Sequence, residues 1–366
     1  MGWHFNDLTR AARAPLAALR PGGYVYEADA SQHVVYAGCS PDGAADGHVH
    51  ELSWHAERGW RHTDLTSVTG APPIVAGSTP TGYDFSAQPN TLYGSQHVNY
   101  VGTDGHVHEM WSAPDSPGWQ HHDLTDATGG RPAINAAVGY SYNSRQRVFY
   151  EGSDAHVGLL TWDRNEGWTH RDLTAETGAP LATASPSAYV FERDGTEHVL
   201  YLGIDAHVHE LWSTGTGWNH HDLTLATQGP LCSDQPAGCA LKDEQTQYVA
   251  YRGIDGLVHA LVWSDGAWRS DDVNIPISIA SAASGPVAAY AFNWERSVHV
   301  MFNATSGAVW EFWREGKDWH ATDVTTRVAA PAALTAPTGY AFEWEPTQHV
   351  VYVDESHHII ELWWSP

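Results

Sequence analysis

Five glutamates stand at equivalent places in short apolar runs: Glu51 in HVHEL, Glu109 in HVHEM, Glu210 in HVHEL, Glu311 in AVWEF and Glu361 in HIIEL. A carboxylate in an apolar strand is costly unless something pairs with it, so five copies call for a partner side chain or a ligand. Four of them are followed two positions later by tryptophan (Trp111, Trp212, Trp313, Trp363), and in the first copy Trp54 follows three later. Side chains two apart on a strand share a face, which sets Glu109 beside the indole of Trp111. Such a pair suits a sugar, whose hydroxyls donate to the carboxylate while its C–H groups lie on the ring.

Two further copies of the run, HVGLL at 156–160 and LVHAL at 257–261, lack the glutamate, so the fold does not require it. The histidines invite a metal reading through His48/His50, His106/His108 and His207/His209. Only three of seven copies keep both, and a closed metal site needs further ligands held in place. These histidines are therefore read as ladders with adjacent strands, and neither a metal nor a cofactor is expected. No Ser/His/Asp elbow, Gly-rich phosphate loop or Cys-x-x-Cys supports nucleophilic, nucleotide or redox chemistry. The expectation is a binding protein rather than an enzyme. The alternative is an enzyme or small-molecule binder with one pocket, in a central channel or at the divergent copies. It would gather Arg147, Cys232, Cys239, Lys242, Asp243 and Glu244 around a single cavity.

The elements that must position these residues are repeats. Trp-x-x-x-Asp-(Leu/Val) opens at Trp3, Trp60, Trp119, Trp168, Trp218, Trp268 and Trp319, and a strand such as QHVNY at 96–100 recurs beside each copy. The fifth copy diverges most, with Ala260 at the glutamate position and Asn274 in place of threonine. Gly/Ala/Pro linkers lead into a further strand at Gly82-Tyr83, Gly139-Tyr140, Ala188-Tyr189 and Gly339-Tyr340. Four short strands per fifty residues, seven times over, predict an all-β seven-bladed β-propeller with four-stranded antiparallel blades, one domain over residues 1–366. The chain opens on a lone Trp-x-x-x-Asp strand and stops where the next is due, so residues 1–9 should complete the last blade and close the ring. The invariant tryptophan is read as a wedge between outer strands, and the aspartate as an acceptor for backbone N–H groups at the turn into the linker. Asp104-Gly105 reads as a two-residue type I′ hairpin, which sets Tyr100 opposite Glu109. His97 and Glu109 would then lie on opposite faces, and they could serve one site only if a bulge shifts the register or if the two come from neighbouring blades.

Composition agrees. The net charge of −25, with no basic run, opposes nucleic acid and anionic membranes as partners. No apolar stretch reaches membrane-spanning length, and the start lacks an apolar leader, leaving a cytoplasmic or a secreted location open. Three cysteines without framework spacing favour buried free thiols over a Cys232–Cys239 bridge. The 18 tryptophans, 16 tyrosines and 24 histidines suit stacked β-structure or a sugar-binding surface.

The run QHVNYVGTDGHVHEMW at 96–111, with 197–212, 298–313 and 348–363, resembles the blade of the fungal fucose-binding β-propeller lectins. That resemblance implies sugar sites in clefts between adjacent blades, with arginine and glutamate binding hydroxyls and aromatics covering the apolar side. It maps the glutamates onto Glu51, Glu109, Glu210, Glu311 and Glu361. It places His33, His97, His198, His299 and His349 at the arginine position, with a true arginine only at Arg147. The implied partners are glycans or glycoconjugates, bound multivalently, with homo-oligomers possible.

Overall fold

The computed structural model describes residues 2–85, 94–116, 118–271 and 282–366. Asp272 and Asn274 of the fifth copy lie outside the described residues. Seven antiparallel sheets, each numbered here as a blade in chain order, surround a common axis. The innermost strands are Gly22–Tyr26, Thr81–Phe85, Ala133–Tyr142, Ser187–Phe191, Ala237–Ala240, Ala288–Phe292 and Thr338–Phe342. Strand Gly2–Asp7 pairs antiparallel with Ile359–Ser365, from Gly2↔Ser365 to Asp7↔Ile360, and so supplies the outer strand of the seventh blade. The seven-bladed ring and its closure by the N-terminal strand are as the repeats predict.

The repeated residues hold the blades together. Each described Asp of Asp-(Leu/Val)-Thr caps a five-residue helix: Asp64 accepts from the Ser67 N–H, with a residue in left-handed conformation (Gly70, φ 66°) ending the helix one turn on. The expected turn is thus a helix N-terminus. The following threonine is spent on the hairpin beside it, Thr66 Oγ1 accepting from the Val49 N–H at 2.9 Å and Thr125 Oγ1 from the Val107 N–H at 2.9 Å. Leu8, Leu65, Leu124, Leu173, Leu223 and Val324 are fully buried in the cores between blades. Trp60 packs in one such core with Leu8 and Val351 of the seventh blade.

Between inner strands the Gly-Tyr pairs form a latch. A Cβ on Gly82 would lie 2.2 Å from the Tyr24 ring of the preceding blade, and one on Gly339 would lie 2.4 Å from Tyr290. The tyrosine hydroxyls then donate into the next blade: Tyr24 to Gln96 at 3.0 Å, Tyr83 to Gln146 at 2.7 Å, Tyr189 to Gln247 at 2.8 Å and Tyr290 to Gln348 at 2.9 Å. Glycine is needed because the ring occupies the place of its side chain. All three cysteines are free and buried, as their spacing suggested.

The hairpin register departs from expectation. Tyr100 pairs with His108, Asn99 with Glu109 and His97 with Trp111. Only Gly105 takes positive φ (78°), its N–H bonds to the Gly102 carbonyl, and the Gly102 N–H bonds to the His106 carbonyl. The loop is therefore Thr103–Gly105, a turn with a left-handed third residue, and not a two-residue type I′ turn. This extra residue is the bulge that places His97, Asn99, Glu109 and Trp111 on one face.

Candidate functional site

With that register, each of the five histidines meets its glutamate inside one blade. The His Nδ1–Glu Oε1 distances are 2.9 Å for His33–Glu51, 2.7 Å for His97–Glu109, 2.8 Å for His198–Glu210, 2.8 Å for His299–Glu311 and 2.9 Å for His349–Glu361. A carboxylate only accepts, so the proton sits on Nδ1. The other ring nitrogen meets a hydroxyl two residues earlier, on Ser31, Ser95, Thr196, Ser297 or Thr347, at 2.6–2.8 Å. The ring face is stacked on the latch tyrosine, with centroids 4.8 Å apart for Tyr24–His33 and 5.1 Å for Tyr83–His97. These histidines are 2–4% exposed, and their nitrogens are used inside the blade. They orient the glutamates, and His198 also lines the cleft between the fourth and fifth blades.

The Ser/Thr-x-His element was missed in the sequence, although it recurs five times. Its hydrogen-bond order, hydroxyl to imidazole to carboxylate, is that of an acyl-transfer relay. In the first and sixth blades the hydroxyl is itself buried (Ser31 and Ser297), so there it fixes the ring and offers a substrate nothing.

Glu361 and Glu210 present their second oxygen toward the outer strand. Asn6 Nδ2 donates to Glu361 Oε2 at 2.9 Å, and His221 Nδ1 lies 3.8 Å from Glu210 Oε2. Burial would raise Glu210, but the bonds from His198 and His221 outweigh it and hold the carboxyl below its usual range. The same bond to Glu210 outweighs burial at His221 and raises that imidazole.

The tryptophans divide between two faces. Trp111, Trp212, Trp313 and Trp363 stand opposite their histidines and beside their glutamates. Outer-strand rings cover one side of two of them, His320 on Trp313 at 4.2 Å and His4 on Trp363 at 4.5 Å. Trp54 does not belong with this set. Ser53 stands opposite His33, and the odd spacing turns Trp54 to the other face of its blade, edge-on to Phe342 of the seventh blade. Trp162, Trp263 and Trp364 occupy the same place, against Phe85, Phe191 and Phe292 of the preceding blades. These three were not singled out in the sequence, although each stands three residues past the glutamate position.

A cleft between two blades therefore has His, Glu and Trp on one wall and a second Trp on the other. Between the fourth and fifth blades it forms a cavity of about 260 Å³, lined by Thr196, His198, Glu210, Trp212 and His221, with Trp263 and Trp268 opposite. The arrangement repeats between the second and third, sixth and seventh, and seventh and first blades. Between the first and second, Ser53 and Ser112 replace both tryptophans.

The central channel is a separate space of about 660 Å³ walled by the inner strands. Arg20 reaches into it, donating from Nε to Thr338 Oγ1 at 3.0 Å; burial pushes the guanidinium down to about 10, opposed by Asp234. None of Arg147, Cys232, Cys239, Lys242, Asp243 and Glu244 lines this space. They are dispersed: Arg147 pairs with Glu197, Cys232 bonds the Asp234 carbonyl, and Lys242 meets Glu192 at the surface.

No protein-family model matches the chain, and no curated protein matches its sequence. Solved structures do match. The BP39L lectin from Burkholderia pseudomallei aligns over 96% of both chains with a TM-score of 0.69 at 15% identity. The chain shares the fold of this lectin. AofleA from Arthrobotrys oligospora aligns over 88% of this chain and 90% of its own, with TM-score 0.55 and 15% identity. The Aleuria aurantia lectin, described as a six-bladed β-propeller with a novel fucose recognition mode, covers 80% of this chain and 93% of its own, with TM-score 0.53 and 14% identity.

Proposed function

We propose that the chain is a carbohydrate-binding lectin with repeated sites between adjacent blades. The observation that carries this is the cleft between the fourth and fifth blades. There an oriented carboxylate, Glu210, lies with Trp212 across from Trp263 and Trp268 in a space of monosaccharide size. Glu109, Glu210, Glu311 and Glu361 accept sugar hydroxyls, Trp111, Trp212, Trp313 and Trp363 wall one side, and Trp162, Trp263, Trp364 and Trp54 of the following blade wall the other. Glu51 offers a fifth, aromatic-poor cleft. Replacing arginine by histidine at the paired position leaves the carboxylate held by a less charged partner. Each site alone binds in the range of roughly 10⁻³ to 10⁻⁵ M, and avidity on a glycosylated surface supplies the useful affinity.

Fucose is the first sugar to try, because one of the similar structures, the Aleuria aurantia lectin, is described in complex with alpha-methyl-L-fucoside. Glycan-array binding with calorimetric titration of monosaccharides tests the reading. The expected result is several equivalent sites, reduced by one in Trp263→Ala. Binding to no glycan, or a single site unaffected by Trp263→Ala, would overturn it.

A further inference from the structure

The His-x-His strands that the sequence reading set aside turn out to have the further ligands a metal site needs. In the second blade the hairpin contributes Asp104, His106 and His108, and the helix cap contributes Asp123. His106 Nδ1 lies 2.8 Å from Asp123 Oδ2, and His108 Nε2 lies 3.1 Å from Asp104 Oδ1. The fourth blade repeats this with His207 at 2.8 Å from Asp222 and His209 at 2.9 Å from Asp205. The first does so with His48 at 2.8 Å from Asp64 and His50 at 3.1 Å from Asp46. One potential ligand atom from each of Asp104, His108 and Asp123, and likewise of Asp205, His207 and Asp222, lies within 4.8 Å of the others. The blades that keep both histidines also keep both aspartates.

The third blade shows what this place is built to hold. It keeps both aspartates, as Asp154 and Asp172, but has Gly158 where the second has His108. There the chain supplies its own cation. Arg131 sits between the two carboxylates, bonded to Asp154 and 3.0 Å from Asp172. Arg131 stands in the linker position occupied elsewhere by Pro15, Pro72 and Pro180, whose carbonyls accept from Tyr36, Tyr100 and Tyr201. One blade thus trades a histidine for a glycine and a proline for an arginine, and the arginine places positive charge between the carboxylates.

We propose that the second and fourth blades each bind a divalent transition-metal ion in place of that guanidinium, through one imidazole and two carboxylates, His108, Asp104 and Asp123 in the second and His207, Asp205 and Asp222 in the fourth. Mixed nitrogen and oxygen donors of this kind suit zinc and its neighbours rather than calcium or magnesium. Supporting groups are in place: His121 Nε2 lies 3.0 Å from His108 Nδ1, and His220 and His62 repeat the contact with His209 and His50. A metal on His108 Nε2 takes the place of the proton that this nitrogen now shares with Asp104, and Nδ1–H then donates to His121 and fixes the ring.

The test is titration of chelator-treated protein with cobalt(II), read by its visible ligand-field bands, and with zinc(II), read by calorimetry. About two equivalents are expected. Pro72→Arg, which touches no ligand, supplies the second blade with the third blade's guanidinium and should lower the count by one, as should Asp104→Asn. A protein that binds neither ion overturns the assignment, as does a count unchanged in either variant when circular dichroism shows it folded.

Discussion

Arg147 of the third blade forks onto Glu197 of the fourth, Nε to Oε2 at 2.9 Å and Nη2 to Oε1 at 3.1 Å, with both side chains nearly buried. Tyr140 donates to the same carboxylate at 2.9 Å. This explains how the third blade keeps an arginine where five others have histidine and yet lacks its own glutamate: Leu159 replaces it, and the counter-charge comes from the neighbour. Elsewhere Glu197's place is Gln32, Gln96, Gln146, Gln247 or Gln348, and Val298 in the sixth blade.

Removing one partner of a buried ion pair strands the other, at about 3–5 kcal/mol. Glu197→Gln should therefore destabilise the ring by that order in urea denaturation. Adding Arg147→Gln should recover most of the loss, because no buried charge is then left unpaired. Equal losses in the single and double variants would contradict this account.

The latch predicts an effect of adding a single carbon. Gly82→Ala sets a Cβ 2.2 Å from the Tyr24 ring, which is held by Gln96 and Glu51 and cannot retreat freely. Overpacking of this kind costs about 1–3 kcal/mol, and a fall in the thermal midpoint should report it. Ala289 is the natural control, since the preceding blade has Cys239 instead of tyrosine and no ring intrudes there.

Ring closure can be probed at Trp3, which is 8% exposed in a core shared by the sixth and seventh blades. Trp3→Ala should cost about 3–5 kcal/mol, the range for a buried aromatic truncated to alanine. Cross-linking or light scattering should also show association through the loosened edge of Ile359–Ser365. A variant as stable and monodisperse as the parent would argue against this strand as the clasp.

Acid should weaken the fold. Burial lowers His62, His121, His170 and His220; His50, His108 and His209 add to this at His62, His121 and His220, whereas at His170 burial prevails over the opposing charge of Asp172. For a group whose folded pKa lies below its unfolded 6.5, the stabilising contribution is complete above about 6.5 and is lost as pH falls through the folded value. At Asp64, Asp104, Asp123, Asp172 and Asp205 burial raises the carboxyl, but hydrogen bonds from backbone N–H groups and histidines outweigh it and lower the pKa, extending the loss further into acid. His106 and His221, raised by bonds to Asp123 and Glu210, act in the opposite sense. With four lowered histidines against two raised, the thermal midpoint should be flat near neutrality and fall below about pH 6. A midpoint that climbs on acidification would refute the balance.

The ring was legible because its signals are long-range and redundant. Trp-x-x-x-Asp recurs seven times at a period near fifty residues, and an outer strand at the very start matches a blade that ends one strand short. The site was legible only in part, because it depends on side-chain parity. Asp-Gly is compatible with a two-residue turn and with a three-residue turn ending in left-handed glycine, and the two differ by one step in register. The three-residue turn leaves no room for a side chain at Gly102, where a Cβ would lie 2.6 Å from Asp104 and 2.7 Å from His108. That one step carries His97 onto the face of Glu109. Parity also explains Trp54, whose spacing of three from Glu51 assigns it to the neighbouring cleft, with Trp162, Trp263 and Trp364. The serines and threonines ahead of the histidines drew no reading from the sequence, and only the fold shows them bonding the imidazole.

The pairing of Gly2–Asp7 with Ile359–Ser365 joins residues some 350 positions apart, so the molecule can complete this blade only after a loop embracing nearly all the chain has come together. Closure entropy grows slowly with loop length, by about 0.6 kcal/mol per doubling, so the equilibrium burden is modest. The kinetic consequence is larger: during synthesis the first strand waits without its mate until every other blade has been made, and assembly finishes at this seam.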